Sequence, residues 1–134
     1  MQPQMLDLPT NLHSLGELTY IHGNIDLPFD IRRVYYVYNI PALAERGGHA
    51  HRTNVELIVA VAGAFTVTLE TCTGTATRFR LDSPARGLLV PPHYWRTLNE
   101  YVSGSVCLVL ASEGYDPAEY VHDHNEFRAL QNQI

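Results

Sequence analysis

Two histidines, His49 and His51, stand one residue apart in the stretch GGHAHRTNVELIVAVAG (residues 47–63), and Glu56 follows in the same run. Imidazole changes charge near neutral pH, so a histidine can serve as base, acid or metal ligand. Side chains alternate along a β-strand, so an H-x-H pair turns both rings to one face. Two rings and a carboxylate on one surface suit two chemistries. Around a metal ion they form a two-histidine, one-carboxylate ligand set. Without a metal they form an acid–base site, in which a nearby arginine would hold developing negative charge.

Every cationic side chain in the 134 residues is an arginine, nine in all. Schiff-base and Walker-lysine chemistry are therefore excluded. Arg32, Arg33, Arg46 and Arg52 lie around the histidine pair in the sequence. The planar guanidinium fork suits phosphate oxygens, so this crowding points to an anionic ligand. The formal net charge of −5 argues against general nucleic-acid binding. No apolar run is long enough to span a bilayer, and the first residues lack the pattern of a secretory signal. Cys72 and Cys107 form no metal or redox motif and are too few for a disulfide framework. A cytoplasmic protein with no membrane partner is expected.

The elements that must position these residues read as strands. RRVYYVY (residues 32–38) is β-branched and aromatic, and its alternation puts Arg33, Tyr35 and Val37 on one face. VELIVAVAG (residues 55–63) is a nearly continuous apolar run, as in a strand covered on both faces. AFTVTLE, TATRFRL, GLLVPP, YWRTLNEYV and VCLVLAS follow at even spacing between Gly, Pro and Ser turn signals. This pattern predicts one all-β domain over residues 1–134, a sandwich or barrel. The tail differs. Asp116 is a helix cap and Pro117 a first helical residue, so one or two short helices are expected over about residues 116–131, packed outside the barrel.

H-x-H, four residues, Glu56, six residues and Gly63 together match the first signature of the cupin superfamily, a small jelly-roll barrel. In metal-binding cupins the two histidines and the glutamate are ligands, and a second motif supplies a third histidine. Here that motif falls on GLLVPPHYWRTLNE, and the ligand position holds Arg96. A guanidinium stays protonated and cannot bind a metal. His49, His51 and Glu56 could still hold one by themselves, so a metal-dependent cupin enzyme stays open.

The blocks LPFDIRRVYYVY, RGGHAHR, LDSPARGLLVPPHYWR and LVLASEGYDPAEYVHDHNEF, in this order over residues 15–128, resemble the bacterial sugar 3,4-ketoisomerases of the FdtA and WxcM-like type. The resemblance implies a cofactor-free, metal-independent homodimeric cupin. Its substrate would be dTDP-4-keto-6-deoxyglucose and its product a 3-keto-6-deoxy sugar for amino-deoxysugar biosynthesis. It implies His49 as catalytic base, His51 as a second polar or proton-shuttling contact, and Tyr35 as an active-site hydroxyl. Arg33 and Arg46 are the expected phosphate or sugar contacts, and Trp95 and Arg96 the expected substrate contacts at the barrel mouth. The sequence departs from the family at three places. Glu56 stands where glutamine is common. Leu15, Gly16 and Glu17 stand where an Arg-Gly-Ser block occurs. Arg96 occupies a position shared between histidine and arginine, which points to glucose configuration at C4 of the product. A nucleotide-sugar 3,5-epimerase and a non-catalytic nucleotide-sugar-binding cupin are the neighbouring alternatives.

Overall fold

The computed structural model describes residues 1–132. The strands are β1 (Gln4–Asp7), β2 (Thr10–His13), β3 (Gly16–Thr19), β4 (Arg33–Val37), β5 (Arg46–His51), β6 (Glu56–Ala62), β7 (Phe65–Glu70), β8 (Ala76–Leu81), β9 (Arg86–Val90), β10 (Trp95–Asn99), β11 (Val106–Ala111) and β12 (Tyr120–Val121). One helix, α1 (His124–Ala129), follows. Two five-stranded antiparallel sheets, ordered β1-β9-β6-β11-β4 and β12-β5-β10-β7-β8, make up the jelly-roll barrel of a cupin, with β2 and β3 paired as a separate hairpin.

The core forms where the inner faces of the sheets meet. Ile58, Phe65, Val67, Leu88 and Val109 pack together there with almost no exposure. The apolar run of β6 is covered on both faces, as its composition predicts. Ile58 and Ala60 face the core, while Leu57 and Val59 pack outward against Leu8, Leu27 and Phe29 of the N-terminal segment. At the end of β6 Gly63 has φ +71°, and a Cβ there would lie 2.4 Å from the Ser105 hydroxyl oxygen, so the turn into β7 needs glycine.

Asp116 and Pro117 do open a helical turn and a short helix follows in the tail, as expected, but two features go beyond the sequence reading. The first nineteen residues hold three four-residue strands, each too short and too polar to stand out by alternation. In the tail, Asp116 caps only a single 3-10 turn, Pro117–Glu119. The chain then extends as β12 and pairs with β5, Tyr120 opposite His51. Asp123 caps the following helix by accepting from the backbone N–H groups of Asn125 and Glu126. Helix α1 lies against the outside of the second sheet, where Phe127 joins Ala50, Cys72 and Val121.

Candidate active site

The site is set by β5 and its neighbours. Between β5 and β10 the register slips, with Arg96 opposite His49 and Thr97 opposite Gly47. Gly48 is thus an extra residue on β5, a bulge of the kind that re-aims side chains. Gly47 and Gly48 both have positive φ, and a Cβ on Gly47 would meet the Arg96 carbonyl oxygen at 2.7 Å. The glycines of RGGHAH therefore let β5 lie close against β10 and turn His49 inward beside Arg96.

A cavity of about 450 Å³ lies between the sheets. Arg33 and Tyr35 of β4, Arg46 and His49 of β5 and Arg96 of β10 line it, joined by Tyr115 and Tyr120 from the tail. His49 and His51 meet edge to face with centroids 5.0 Å apart. His51 is fully buried beneath His49, its Nε2 3.6 Å from Glu56 Oε1 and its Nδ1 3.9 Å from Glu119 Oε1. Glu119 is fixed by the backbone N–H groups of Thr53 and Asn54, both at 2.6 Å.

Beneath the cavity Glu56 is fully buried. Its Oε1 pairs with Arg96 Nη1. Its Oε2 accepts from the Tyr35 hydroxyl at 3.2 Å and from Asn54 Nδ2 at 3.1 Å, and lies 3.7 Å from Arg33 Nη2. Burial alone would favour the neutral acid, but the Arg96 guanidinium and the His51 ring outweigh it and hold the Glu56 carboxyl below the usual range. Tyr35 is pushed the other way, by burial first and then by the charge of Glu56. His49 falls to about 3, by burial first, then by the charges of Arg96 and His51. It is therefore neutral at physiological pH, and its buried Nε2 has no hydrogen-bond partner within the protein. Arg96 is likewise buried, with its Nε and Nη2 unpartnered. A neutral imidazole beside free guanidinium N–H groups can take a proton from carbon and stabilise the oxyanion that results.

The metal alternative does not fit this geometry. Glu56, its carboxylate ligand, already has both oxygens engaged by Arg96, Tyr35 and Asn54. The permanently cationic Arg96 stands where a metal would need a neutral or anionic donor.

Of the residues singled out in the sequence, His49, Tyr35, Arg33, Arg46 and Arg96 meet at the cavity, and His51 lies behind it. Trp95 does not reach the cavity. It is adjacent to Arg96 on β10, so the strand sends the two side chains to opposite faces. Its ring packs outside, 5.0 Å from His124 and 5.6 Å from Phe127. Sequence reasoning missed Glu119, Asn54, Tyr115 and Tyr120. Tyr120 stacks on His122 with ring planes 7° apart, and both rings approach His49. For Tyr120 the signal was the alternation Tyr120, Val121, His122, hidden behind the helix-like Asp116 and Pro117.

Comparison with known proteins agrees with this geometry. The chain is 33% identical over 128 residues to the TDP-4-oxo-6-deoxy-alpha-D-glucose-3,4-oxoisomerase of Aneurinibacillus thermoaerophilus, covering 96% of this chain and 91% of that protein. It superposes with TM-score 0.94 and 29% identity on a mutant of the 3,4-ketoisomerase QdtA from Thermoanaerobacterium thermosaccharolyticum in complex with TDP-4-keto-6-deoxyglucose, covering 98% of this chain and 94% of that one. A 3,4-ketoisomerase from Helicobacter canadensis matches with TM-score 0.93 and 28% identity over 98% of each chain. Residues 1–132 match the family described as FdtA: WxcM-like, C-terminal. The chain belongs to the FdtA family.

Proposed function

We propose that this protein is a dTDP-sugar 3,4-ketoisomerase that moves the keto group of dTDP-4-keto-6-deoxyglucose from C4 to C3, with His49 as the base. The observation that carries this reading is one cavity lined by both a neutral histidine, His49, and Arg96, each of which has buried nitrogens with no partner in the protein. His49 takes the C3 proton, and the electron pair left on C3 forms the C3–C4 double bond as the C4 carbonyl becomes an oxyanion. Arg96 holds that charge. The O3 proton passes to O4, C4 gains a proton, and the carbonyl reforms at C3. Arg33 and Arg46 suit the diphosphate, and His51 holds His49 from behind.

The product is read as having glucose configuration at C4. In a glucose-configured ring the hydrogens on C3 and C4 lie on opposite faces, so the base that removes one cannot return it to the other. Arg96 stays protonated and does not act as a proton donor. Solvent then supplies C4. Turnover in D2O, followed by NMR on EDTA-treated protein, is expected to place solvent deuterium at C4 without internal return and to give a new 3-keto signal. His49→Ala is expected to lose about 10²- to 10⁴-fold in rate. Retained turnover in that variant would remove His49 from the mechanism, and substantial return of the C3 hydrogen to C4 would reverse the stereochemical reading.

The working protein is a cytoplasmic homodimer with no nucleic-acid or membrane partner. Supporting the dimer, the β2–β3 hairpin pairs with neither main sheet and exposes Leu12, Leu15 and Leu18. No helix among the described residues is long and apolar enough to cross a membrane. A monomeric mass by sedimentation equilibrium would overturn the dimer.

A further inference from the structure

We infer that Glu56 is a positioning residue that sets the hydrogen-bond polarity of the site, turning the Tyr35 hydroxyl into an acceptor toward the substrate while it holds Arg96, a donor in any setting, by one Nη nitrogen. This rests on the ketoisomerase reading of the cavity and adds a division of labour to it.

An ionised carboxylate only accepts hydrogen bonds. Tyr35 has one hydroxyl hydrogen, and that hydrogen is directed to Glu56 Oε2. The phenol oxygen therefore has only lone pairs left for the cavity that Tyr35 lines. Arg96 commits Nη1 to Glu56 and keeps Nε and Nη2 free. A substrate in this cavity meets an acceptor at Tyr35, suited to a sugar hydroxyl, and donors at Arg96, suited to an oxyanion. Tyr35 then positions substrate and is not the acid that protonates C4.

A second observation shows that the surroundings are built for a carboxylate at position 56. Asn54 Oδ1 accepts from the Glu113 backbone N–H at 3.2 Å and from the Ser112 hydroxyl at 3.1 Å. A backbone N–H can only donate, so the Asn54 amide is fixed with its NH2 toward Glu56. The donors of Asn54, Tyr35 and Arg96 thus converge on two oxygens. A glutamine offers one oxygen and one NH2. With its oxygen on Arg96, its NH2 would face Asn54 and Tyr35, and the Tyr35 hydroxyl would swing round to accept, freeing its hydrogen for the cavity. One atom at position 56 therefore decides whether Tyr35 accepts or donates.

The test uses the full chain with Glu56→Gln, Tyr35→Phe and the double variant. Absorbance titration of tyrosine, with the matching Tyr35→Phe curve subtracted from each, isolates this one phenol among eight tyrosines. The other charged or titratable groups around Tyr35 and Glu56 are Arg33, Arg46, His49, His51, Arg96, Tyr101, Cys107, Tyr115, Glu119 and Tyr120. All are present in both backgrounds, so the difference reports Glu56. Tyr35 is expected to ionise about one pH unit or more lower in Glu56→Gln than in the intact chain. In steady-state kinetics, Tyr35→Phe in the Glu56 background is expected to raise KM about tenfold and leave kcat within about threefold, the pattern of lost uniform binding.

A Tyr35 step resolved at the same pH in both backgrounds would overturn the inference, and so would a Tyr35→Phe effect on KM that is the same with and without Glu56→Gln. So would a Tyr35→Phe variant that loses kcat about a hundredfold at unchanged KM, since Tyr35 would then be the acid. If Glu56→Gln does not fold, Glu56→Asp takes its place. The shorter carboxylate keeps the charge but loses reach, and the same lowering is expected at reduced size. The titration needs no turnover, so an intact chain that does not isomerise the sugar would end the ketoisomerase reading and leave the Glu56 result standing on its own.

Discussion

The two ends of the same strands teach opposite lessons. Strand β6 begins at Glu56, amid Arg33, Tyr35, His51, Asn54 and Arg96, and two residues on, at Ile58, it has entered the apolar core. Glu56, Asn54, His51 and Arg96 are as buried as the core, while Arg33 and Tyr35 are half-buried. In the apolar region every group gains by leaving water. In the polar region charges lose solvation, and that loss is offset only where each is paired. His49, Arg33 and Arg96 keep buried nitrogens with no partner. Such gaps are costly to a fold and useful to a binding site, and the apolar region supplies the stability that tolerates them.

The sharpest way to separate the two regions is a pair of substitutions of similar stability cost. Arg96→Met leaves the Glu56 carboxylate without its counterion and is expected to cost about 3–5 kcal/mol of stability, with turnover down about a hundredfold or more. Phe65→Ala opens a cavity in the apolar core and is expected to cost about 3–5 kcal/mol as well. The folded fraction of Phe65→Ala should keep its kcat/KM. Urea unfolding and initial rates on the same preparations measure both. If Phe65→Ala lost activity per folded molecule, or Arg96→Met kept it, the division between the regions would not hold.

The acid side of the stability curve gives a smaller effect. His49 binds its proton only near pH 3 in the fold, against an ordinary 6.5. Below 6.5 the unfolded chain binds a proton that the folded chain refuses, so this contribution is whole above 6.5 and is lost as pH falls towards 3. The slope for one group is about 1.4 kcal/mol per pH unit. Glu56 acts in the same sense lower down, its depressed carboxyl contributing above the ordinary 4.5 and losing that contribution below it. In His49→Asn the loss between pH 6.5 and 4.5 is expected to flatten by most of that slope, as read from urea midpoints at each pH. A parallel curve would mean that His49 is protonated in the fold.

How much of this was legible in sequence follows from what each feature depends on. Period-two alternation is local, so the inward face of Arg33, Tyr35 and Val37 and the shared face of His49 and His51 could be read directly. The doubly covered β6 followed from composition alone. The Glu56–Arg96 pair joins residues forty apart in sequence, and nothing local announces it; the spacing that suggested a ligand set describes equally well a carboxylate held by an arginine. The strands β1–β3 lay hidden because four residues with polar members give too little pattern. Glu119 and Tyr120 were obscured by a true signal of short range, since Asp116 does cap a turn, but one that ends at Glu119.

Trp95 should give the smallest effect, and it tests the boundary of the site. Arg96 faces the cavity, and alternation alone sends the neighbouring Trp95 outward, where it meets His124 and Phe127. His124 in turn bonds the Glu70 carboxylate at 3.1 Å, so the indole sits under a small polar roof formed by α1. Trp95→Phe keeps an aromatic ring against Phe127 and removes the outer part of the indole. It is expected to cost about 1 kcal/mol, within the range of a tolerated core substitution. KM for the nucleotide sugar should stay within about twofold, because uniform binding energy changes only where a contact with the ligand is lost. A larger rise in KM at unchanged stability would bring Trp95 into the binding surface and extend the site beyond the cavity between the sheets.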